Sequence, residues 1–431
     1  MITKLRHKAK EILLWSQQYT KIDMLYITRS GFWVTLSYVI GTILSFILTL
    51  AFANLLPKET YGLYKYVLSI LGILSVFTLS GMTQATIRAV ARGKDKILKS
   101  AAYFQLRWSF PFIIITNSVA LYYWLRGNHI ISISLFILSL STPLIQSFDA
   151  YAAFLTGKKD FRLSTILDSL GGTISSLGLV IALFFTKNLL VIIAAYAILN
   201  VAATIIPYWI TARKYKSSDQ EELDRETITY GTSLSFLSAA GVLVQQLDKV
   251  LIFKFAGSVE LATYAIASAL PDRLKSFIKS SVAMVFPKLA QKNIDDFKHT
   301  IKIRVWQGMA IGLCLTTTYF LAAPILFKIF LPKYLSAVRY SQLLSLSTVL
   351  LVPTFFLGYA FESQKLIKSI YSINITSVAT RVGLYFVLGY FWGPIGIVWA
   401  RVISNVFLFF IHLLFWYIES NYLLWAKIKT N

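Results

Sequence analysis

LATYAIASALPDRLKSFIKSSVAMVF, residues 261–286, joins two kinds of sequence that seldom meet. Its middle, LPDRLKSFIKS (270–280), carries Asp272, Arg273, Lys275 and Lys279 and taken alone reads as a piece of a soluble protein. Both flanks, LATYAIASA and SVAMVF, are apolar, so the four charges sit where a membrane span is expected. On a helix advancing about 100° per residue, Asp272, Lys275 and Lys279 fall within roughly 60° of one another, and Arg273 lies about 100° to one side of Asp272. Facing lipid, each charge costs about 2.5–3.5 kcal/mol near a helix centre, and the four together on the order of 10 kcal/mol. A hydrated cleft removes most of that cost. The competing reading is a local Asp–Lys pair with Lys279 reaching back to the headgroups. Pro271 loosens the helix just ahead of the charges.

The composition supports the membrane reading. Of 431 residues, 56% are hydrophobic and 14% charged, whereas a soluble domain carries about 25% charged residues. The one cysteine, Cys314, lies in an apolar run, so no disulfide framework is expected. The net charge of +23 needs no nucleic acid to explain it, because membrane proteins gather Lys and Arg in cytoplasmic loops. Residues 1–30 are polar and basic, with no short apolar core followed by a cleavage site, so the first span is expected to be retained. EILLWSQQY (11–19) reads as an interfacial helix on the inner surface.

Apolar runs of about 20 residues place twelve spans near 33–54, 62–80, 101–123, 130–152, 164–185, 189–211, 230–253, 261–284, 306–329, 336–360, 369–390 and 395–418. With both termini inside, the inner segments hold 27 Lys and Arg and the outer segments 6, with nine inside spans. That asymmetry argues for an N-in, C-in chain. The longest polar connection, ARKYKSSDQEELDRETIT (212–229), divides the spans six and six. The expected organisation is a basic N-terminal segment (1–30), a six-helix bundle (31–211), a cytoplasmic linker (212–229), a second six-helix bundle (230–418) and a tail (419–431). Two bundles with a cleft between them is an arrangement of transporters built from repeats.

Several activities lack their residues. There is no G-x-x-x-x-G-K-[ST] and no H-E-x-x-H. His7, His129, His299 and His412 show no metal-ligand spacing, and the outer loops carry only Glu59 and Glu260 as carboxylates. An enzyme is therefore not expected, and neither is a metal or a cofactor.

The informative residues are ionisable groups at membrane depth. After the 272–279 stripe, Arg381 stands mid-span in NITSVATRVGLYFV, facing either the cavity or a structural salt bridge. In VQQLDKVLIF, Gln245, Asp248 and Lys249 share a face. Pairing of Asp248 with Lys249 is the favoured reading there, with binding of a coupling H⁺ or Na⁺ at Asp248 as the alternative. Arg401 and Arg107 lie about six residues from a membrane face and are expected to snorkel. Asp149 and Asp168 are expected to pair locally, with Lys158 or Arg162. Against nine in-span basic residues stand four acids: Asp149, Asp168, Asp248 and Asp272. Buried positive excess favours an anionic visitor such as a phosphate or pyrophosphate headgroup.

Four stretches then carry a likeness to a known family. ANLLPKETYGLYKYVLSILGILSVFTLSGM (53–82) has a Tyr-Gly-x-Tyr after a short outer turn and a Gly before a basic loop. DKVLIFKFAGSVELATYAIA (248–267) has an Asp, a Gly in the turn, then a Tyr among small residues. FLPKYLSAVRYSQLLSLS (330–347) and GPIGIVWARVISN (393–405) complete the set. In that order they resemble the Wzx-type polysaccharide and O-antigen flippases of the multidrug/oligosaccharidyl-lipid/polysaccharide (MOP) exporter superfamily. Leu261-Ala262-Thr263 departs from the pattern, since many members have a Gly before the Tyr.

The resemblance implies an all-α, MATE-like fold of about twelve membrane helices. It implies alternating-access movement of undecaprenyl-pyrophosphate-linked oligosaccharide across a bacterial cytoplasmic membrane, through a cationic cavity lined largely by helices one, two, seven and eight. Arg273, Lys275 and Lys279 map to helix eight, and Arg381 joins them as an expected substrate contact. Asp248, Asp272 and Lys249 form the expected coupling or charge-pair set. Expected partners are the lipid-linked glycan, membrane lipids, and the polymerase and chain-length proteins of the same pathway; nucleic acid is not among them. The alternatives are a cation-coupled multidrug exporter of the same superfamily and a membrane polysaccharide polymerase or ligase.

Overall fold

The computed structural model describes residues 24–215, 223–283, 294–364 and 366–430. The expected interfacial segment 11–19 lies outside the described residues. Every regular element among the described residues is helical: α1 (Met24–Leu55), α2 (Lys58–Leu74), α3 (Met82–Ala91), α4 (Leu98–Trp108), α5 (Phe110–Leu125), α6 (His129–Phe148), α7 (Ala150–Gly157), α8 (Phe161–Phe185), α9 (Leu189–Lys214), α10 (Arg225–Ala283), α11 (Ile294–Phe330), α12 (Ala337–Leu346), α13 (Leu351–Ser363) and α14 (Ile367–Thr430). Nine helical stretches among these residues are long and apolar enough to cross a bilayer. Two of them, Arg225–Val282 and Ile367–Glu419, run to 58 and 53 residues, more than twice the 20 or so that a crossing needs.

Each long stretch is divided by a glycine. Gly257 (φ 80°, ψ −171°) breaks α10 into a first and a second arm. Gly393 (φ 58°, ψ −139°) does the same in α14. Positive φ is strained for residues with a Cβ, and Pro394 starts the arm that follows Gly393 with a fixed φ and no donor to waste. Pro271, by contrast, is buried inside the second arm of α10, and the helix continues through it. The third expected span (101–123) falls on α4 and α5, which part at Ser109. There the serine hydroxyl donates back to the Gln105 carbonyl (2.8 Å), and Pro111 follows in the first turn of α5.

The chain packs as two compact units that do not follow chain order. Unit 1 comprises Met1–Leu48 and Leu74–Ala239; unit 2 comprises Thr49–Ile73 and Ala240–Asn431. Expected bundles of 31–211 and 230–418 are drawn by chain position, whereas the packing moves most of α2 into the later unit and the start of α10 into the earlier one.

In unit 1, α6, α8 and α9 lie side by side, with α5 against α6 and α3 against α7. Its core gathers Ile97, Leu98, Tyr151, Phe154, Leu167 and Tyr208. The basic residues counted as inner find the few nearby acids. Arg88 and Arg92 reach Glu226 (3.1 and 2.9 Å), and Lys94 reaches Asp224 (2.8 Å). Lys158 pairs with Asp95. Asp160 caps α8 by accepting from the Leu163 N–H (3.2 Å), and also takes Lys214 (2.7 Å) and Tyr215 (2.8 Å).

In unit 2, residues 49–73 are tied to both α10 and the turn after α11. The Tyr66 and Phe253 rings stack at 3.6 Å between centroids. A Cβ on Gly62 would fall on the Ser258 carbonyl, so this crossing needs a glycine. Asn54 donates to the Phe330 carbonyl (2.9 Å), Lys333 donates to the Asn54 carbonyl (2.5 Å), and Lys58 sits 5.1 Å over the Tyr334 ring. Leu357, Phe361, Ile373, Phe409 and Trp416 form a core between α13 and α14. Large apolar side chains such as Phe184, Phe185, Phe236, Tyr390 and Phe391 cover the outside. Water would not tolerate that coat on a monomer, and lipid does.

Burial pushes the Asp160 carboxyl up, but donation from Lys214, Tyr215 and the Leu163 N–H outweighs it and holds the group below the usual carboxylate range. A depressed carboxyl stabilises the fold above its unfolded pKa and stops doing so as pH falls through its folded value. Asp160→Ala should therefore cost about 1 kcal/mol at pH 7, the usual loss of a helix cap. Thermal melting in detergent should show that deficit begin to shrink below about pH 4, the unfolded carboxyl's value, and vanish as pH falls through the lower folded value.

Candidate functional site

A cavity of about 350 Å³ opens within unit 2. The first arm of α10 supplies Val244, Gln245, Gln246, Asp248 and Lys249; the second arm supplies Asp272, Lys275, Ser276 and Lys279. From α14 come Arg381 and Tyr385 on the first arm and Arg401 on the second. The glycine breaks make this possible, since each returns the chain past the same level. The structure therefore brings Lys275, Lys279, Arg381, Asp248, Asp272 and Lys249 into one cavity wall. Arg273, expected as a substrate contact beside them, does not line it; it sits about 100° round the helix from Asp272. It lies instead close enough to Lys65 of α2 for their charges to interact.

At one end of the cavity is an ionic cluster. The Tyr264 hydroxyl donates to Asp248 Oδ2 (2.6 Å), and the Lys249 backbone N–H donates to Asp248 Oδ1 (2.8 Å). Arg401 donates through Nη1 to the Tyr264 oxygen (3.1 Å) and stands 3.7 Å from Asp248 Oδ2. Its Nη2 is paired with Asp272. Arg401 thus joins a carboxylate from each arm of α10. A buried ion pair recovers its desolvation cost only when the remaining donors and acceptors are met, and here Tyr264 and the backbone meet them.

This geometry corrects three expectations and bears on the two readings left open for Arg381. Arg401 does not snorkel: its side chain is only 16% exposed and ends between two carboxylates. Asp248 does not pair with the Lys249 ammonium, which donates to Gln246 Oε1 (2.8 Å) instead. Arg381 makes no ion pair among the described residues; its guanidinium donates to neutral acceptors, Ser404 Oγ (2.9 Å) and Asn405 Oδ1 (2.7 Å). In unit 1, Asp168 is met by Tyr151 (2.6 Å) and Ser164 (3.1 Å) rather than by Lys158 or Arg162. Lys158 is taken by Asp95, and Arg162 lies over the Trp33 ring.

The rest of the cavity is cationic. Lys275 and Lys279 make no hydrogen bond or ion pair among the described residues; the attraction of Lys279 to Glu362 acts at longer range. Five cations line the wall (Lys249, Lys275, Lys279, Arg381, Arg401) against two carboxylates (Asp248, Asp272), a formal surplus of three positive charges. Lys65 adds to that field. Its ammonium lies 5.3 and 6.0 Å over the Tyr61 and Tyr64 rings, with Lys249 and Arg273 as its charged neighbours. No cluster of three or more metal-ligating side chains occurs among the described residues.

The sequence profile of the family described as "Polysaccharide biosynthesis protein" matches residues 27–293, more than half of the chain. The chain belongs to that family. An uncharacterized membrane protein of Methanocaldococcus jannaschii is 25% identical to this chain over 391 residues, which cover 82% of this chain and 75% of the relative. Among solved structures, an inward-facing multidrug resistance MATE family transporter of the MOP superfamily superposes with a TM-score of 0.65 at 14% identity. That match covers 90% of this chain and 98% of the other. The lipid II flippase MurJ, in an inward closed conformation, gives 0.64 at 15% identity, with 92% of each chain covered. The fold of this family member is therefore the MATE-like, all-α membrane fold, and the protein is multi-pass.

Sequence reasoning missed Arg401, Tyr264, Tyr385 and Lys65 as parts of this family member's charged interior. All but Tyr385 lie within stretches that carry the likeness for another reason, their spacing of small and aromatic residues. For Lys65 the available signal was its count among the nine in-span cations. Arg401→Ala should strand two carboxylates and lower stability by about 3–5 kcal/mol, whereas Tyr264→Phe should cost about 1–2 kcal/mol. Thermal melting of the purified variants in one detergent would rank them, and Arg401→Ala melting as high as the parent would contradict the cluster's structural role.

Proposed function

We propose that this protein is a flippase for undecaprenyl-pyrophosphate-linked oligosaccharide, of the O-antigen or capsule repeat-unit type. It acts as a twelve-span, N-in, C-in protein of a bacterial cytoplasmic membrane. The observation that carries this reading is the surplus of three positive charges on the cavity wall. Lys275, Lys279 and Arg381 are the contacts proposed for the diphosphate. Arg381 is held by Ser404 and Asn405 and pairs with no carboxylate among the described residues, so its charge acts on a visitor. In a partly enclosed cavity that attraction is larger than in bulk water. Alternating access then exposes the loaded cavity to one side and then the other while the polyprenyl tail stays in lipid.

The same polarity weighs against an organic-cation exporter, since a cation entering this cavity meets repulsion from every side but the Asp248–Asp272 end. Asp248 is a poor site for a coupling cation, because both its oxygens accept hydrogen bonds and a guanidinium stands beside it. A family profile for polysaccharide biosynthesis and the fold shared with a lipid II flippase agree with a phosphate-linked glycan as cargo. A polymerase and a chain-length protein are the proposed downstream partners.

The test is transbilayer movement of a fluorescent polyprenyl-diphosphate saccharide in proteoliposomes. Lys275→Ala combined with Arg381→Ala should slow transport by at least about tenfold, the equivalent of roughly 1.4 kcal/mol. Stability should fall only modestly, by about 1–3 kcal/mol for the lost bonds of Arg381 to Ser404 and Asn405, so the transport loss is compared at matched folded fraction. Transport at the parental rate in the double variant, at equal reconstitution, would reject the assigned roles.

A further inference from the structure

Asp272 stands in an unusual place for a structural carboxylate. It lines the cationic cavity, and its side chain is 43% exposed, against 4% for the other carboxylate, Asp248. Asp248 is enclosed by Tyr264, the Lys249 N–H and Arg401. Asp272 has one partner for its carboxylate among the described residues, the Nη2 arm of Arg401. The hydrogen bond that Ser276 makes to this residue goes to its backbone carbonyl (3.0 Å) and leaves the side chain free to turn. The preceding Pro271 has no N–H, so the helix lacks one rung at the level of Ala267. The two halves of the cluster therefore differ in kind: Tyr264 and the backbone lock Arg401 to Asp248, while the contact with Asp272 is single and open to the cavity.

A guanidinium fork accepts a carboxylate or a phosphate oxygen with the same geometry. A diphosphate offers more charge and more acceptor oxygens than one carboxylate, and next to Arg401 it would also meet Lys275 and Arg381. Lys275 lies close enough to both arginines for their charges to interact. We propose that Asp272 is a tethered stand-in for the substrate's phosphate: it occupies the open arm of Arg401 when the cavity is empty, is displaced when an anion binds, and returns to drive the anion off. The proposal rests on the anionic-substrate reading given above. It extends that reading from which groups attract the substrate to how it is released. A site with seven charges and no internal competitor would hold a diphosphate too firmly, since passage needs a site weak enough to leave.

The experiment measures binding of farnesyl diphosphate to the full-length protein in nanodiscs by isothermal titration, for the parent, Asp272→Asn and Asp272→Glu. Removing the competing charge should tighten binding about tenfold in Asp272→Asn, as expected for one charge lost a few ångströms from the ligand, and Asp272→Glu should return the parental affinity. Difference infrared spectroscopy of the parent gives a readout that does not depend on any variant folding. Adding the diphosphate should shift a carboxylate stretch, and the shift should be absent from Asp272→Asn. Unchanged or weaker binding in a folded Asp272→Asn, or an unaltered carboxylate band in the parent, would overturn the displacement while leaving the anionic site intact. A folded parent that binds no diphosphate at all would overturn both.

Discussion

Arg401 is the residue on which the interior of the C-terminal unit depends. It comes from the second arm of α14 and holds one carboxylate from each arm of α10, with Tyr264 filling the remaining hydrogen-bond valence. In lipid there is no hydrophobic force to draw helices together, so polar contacts and close packing of small residues must do it. A triad of charges is a costly form of contact, and it persists because each member satisfies another. The glycine breaks at Gly257 and Gly393 give the arms their independence, and the Gly62–Ser258 crossing and the Tyr66–Phe253 stack hold α2 against α10. The cavity is the space left beside this clasp.

The clasp also sets the sign of what remains. It uses both carboxylates of the wall on a single guanidinium, so among the described residues Lys275, Lys279 and Arg381 form no ion pair. Structural neutralisation would have placed a third or fourth carboxylate among them, and the chain has few to spare, with 19 acidic residues against 42 basic ones. Arg381 is instead oriented by a serine and an asparagine. Neutral partners fix a guanidinium's direction without cancelling its charge, which suits a group that binds an anion in passing.

Much of this was readable in the sequence, and the limits have physical reasons. The stripe of Asp272, Lys275 and Lys279 follows from helical periodicity alone, whereas Arg273 was counted with the cavity contacts although it sits about 100° round the helix from Asp272. The all-helical membrane fold follows from the length of the apolar runs. Arg401 was misread because distance from the membrane face is a one-dimensional measure, while its two partners lie 153 and 129 residues away in the chain. Asp248 was misread for a similar reason: adjacency to Lys249 suggests a pair, but neighbouring residues on a helix point about 100° apart. The transfer of residues 49–73 to the later packing unit left no mark in composition, since lipid-facing and helix-facing surfaces are equally apolar.

The central claim is that the cavity's fixed charge calls for an anion. The most direct measurement is a pair of thermal-shift titrations on the same purified protein, one with a short polyprenyl diphosphate and one with a lipophilic organic cation of similar size. Ligands that bind the native state raise its melting temperature in proportion to ln(1 + [L]/Kd). The account predicts a saturable rise with the diphosphate, weakened by salt, and none with the cation. Stabilisation by the cation with no response to the diphosphate would contradict it.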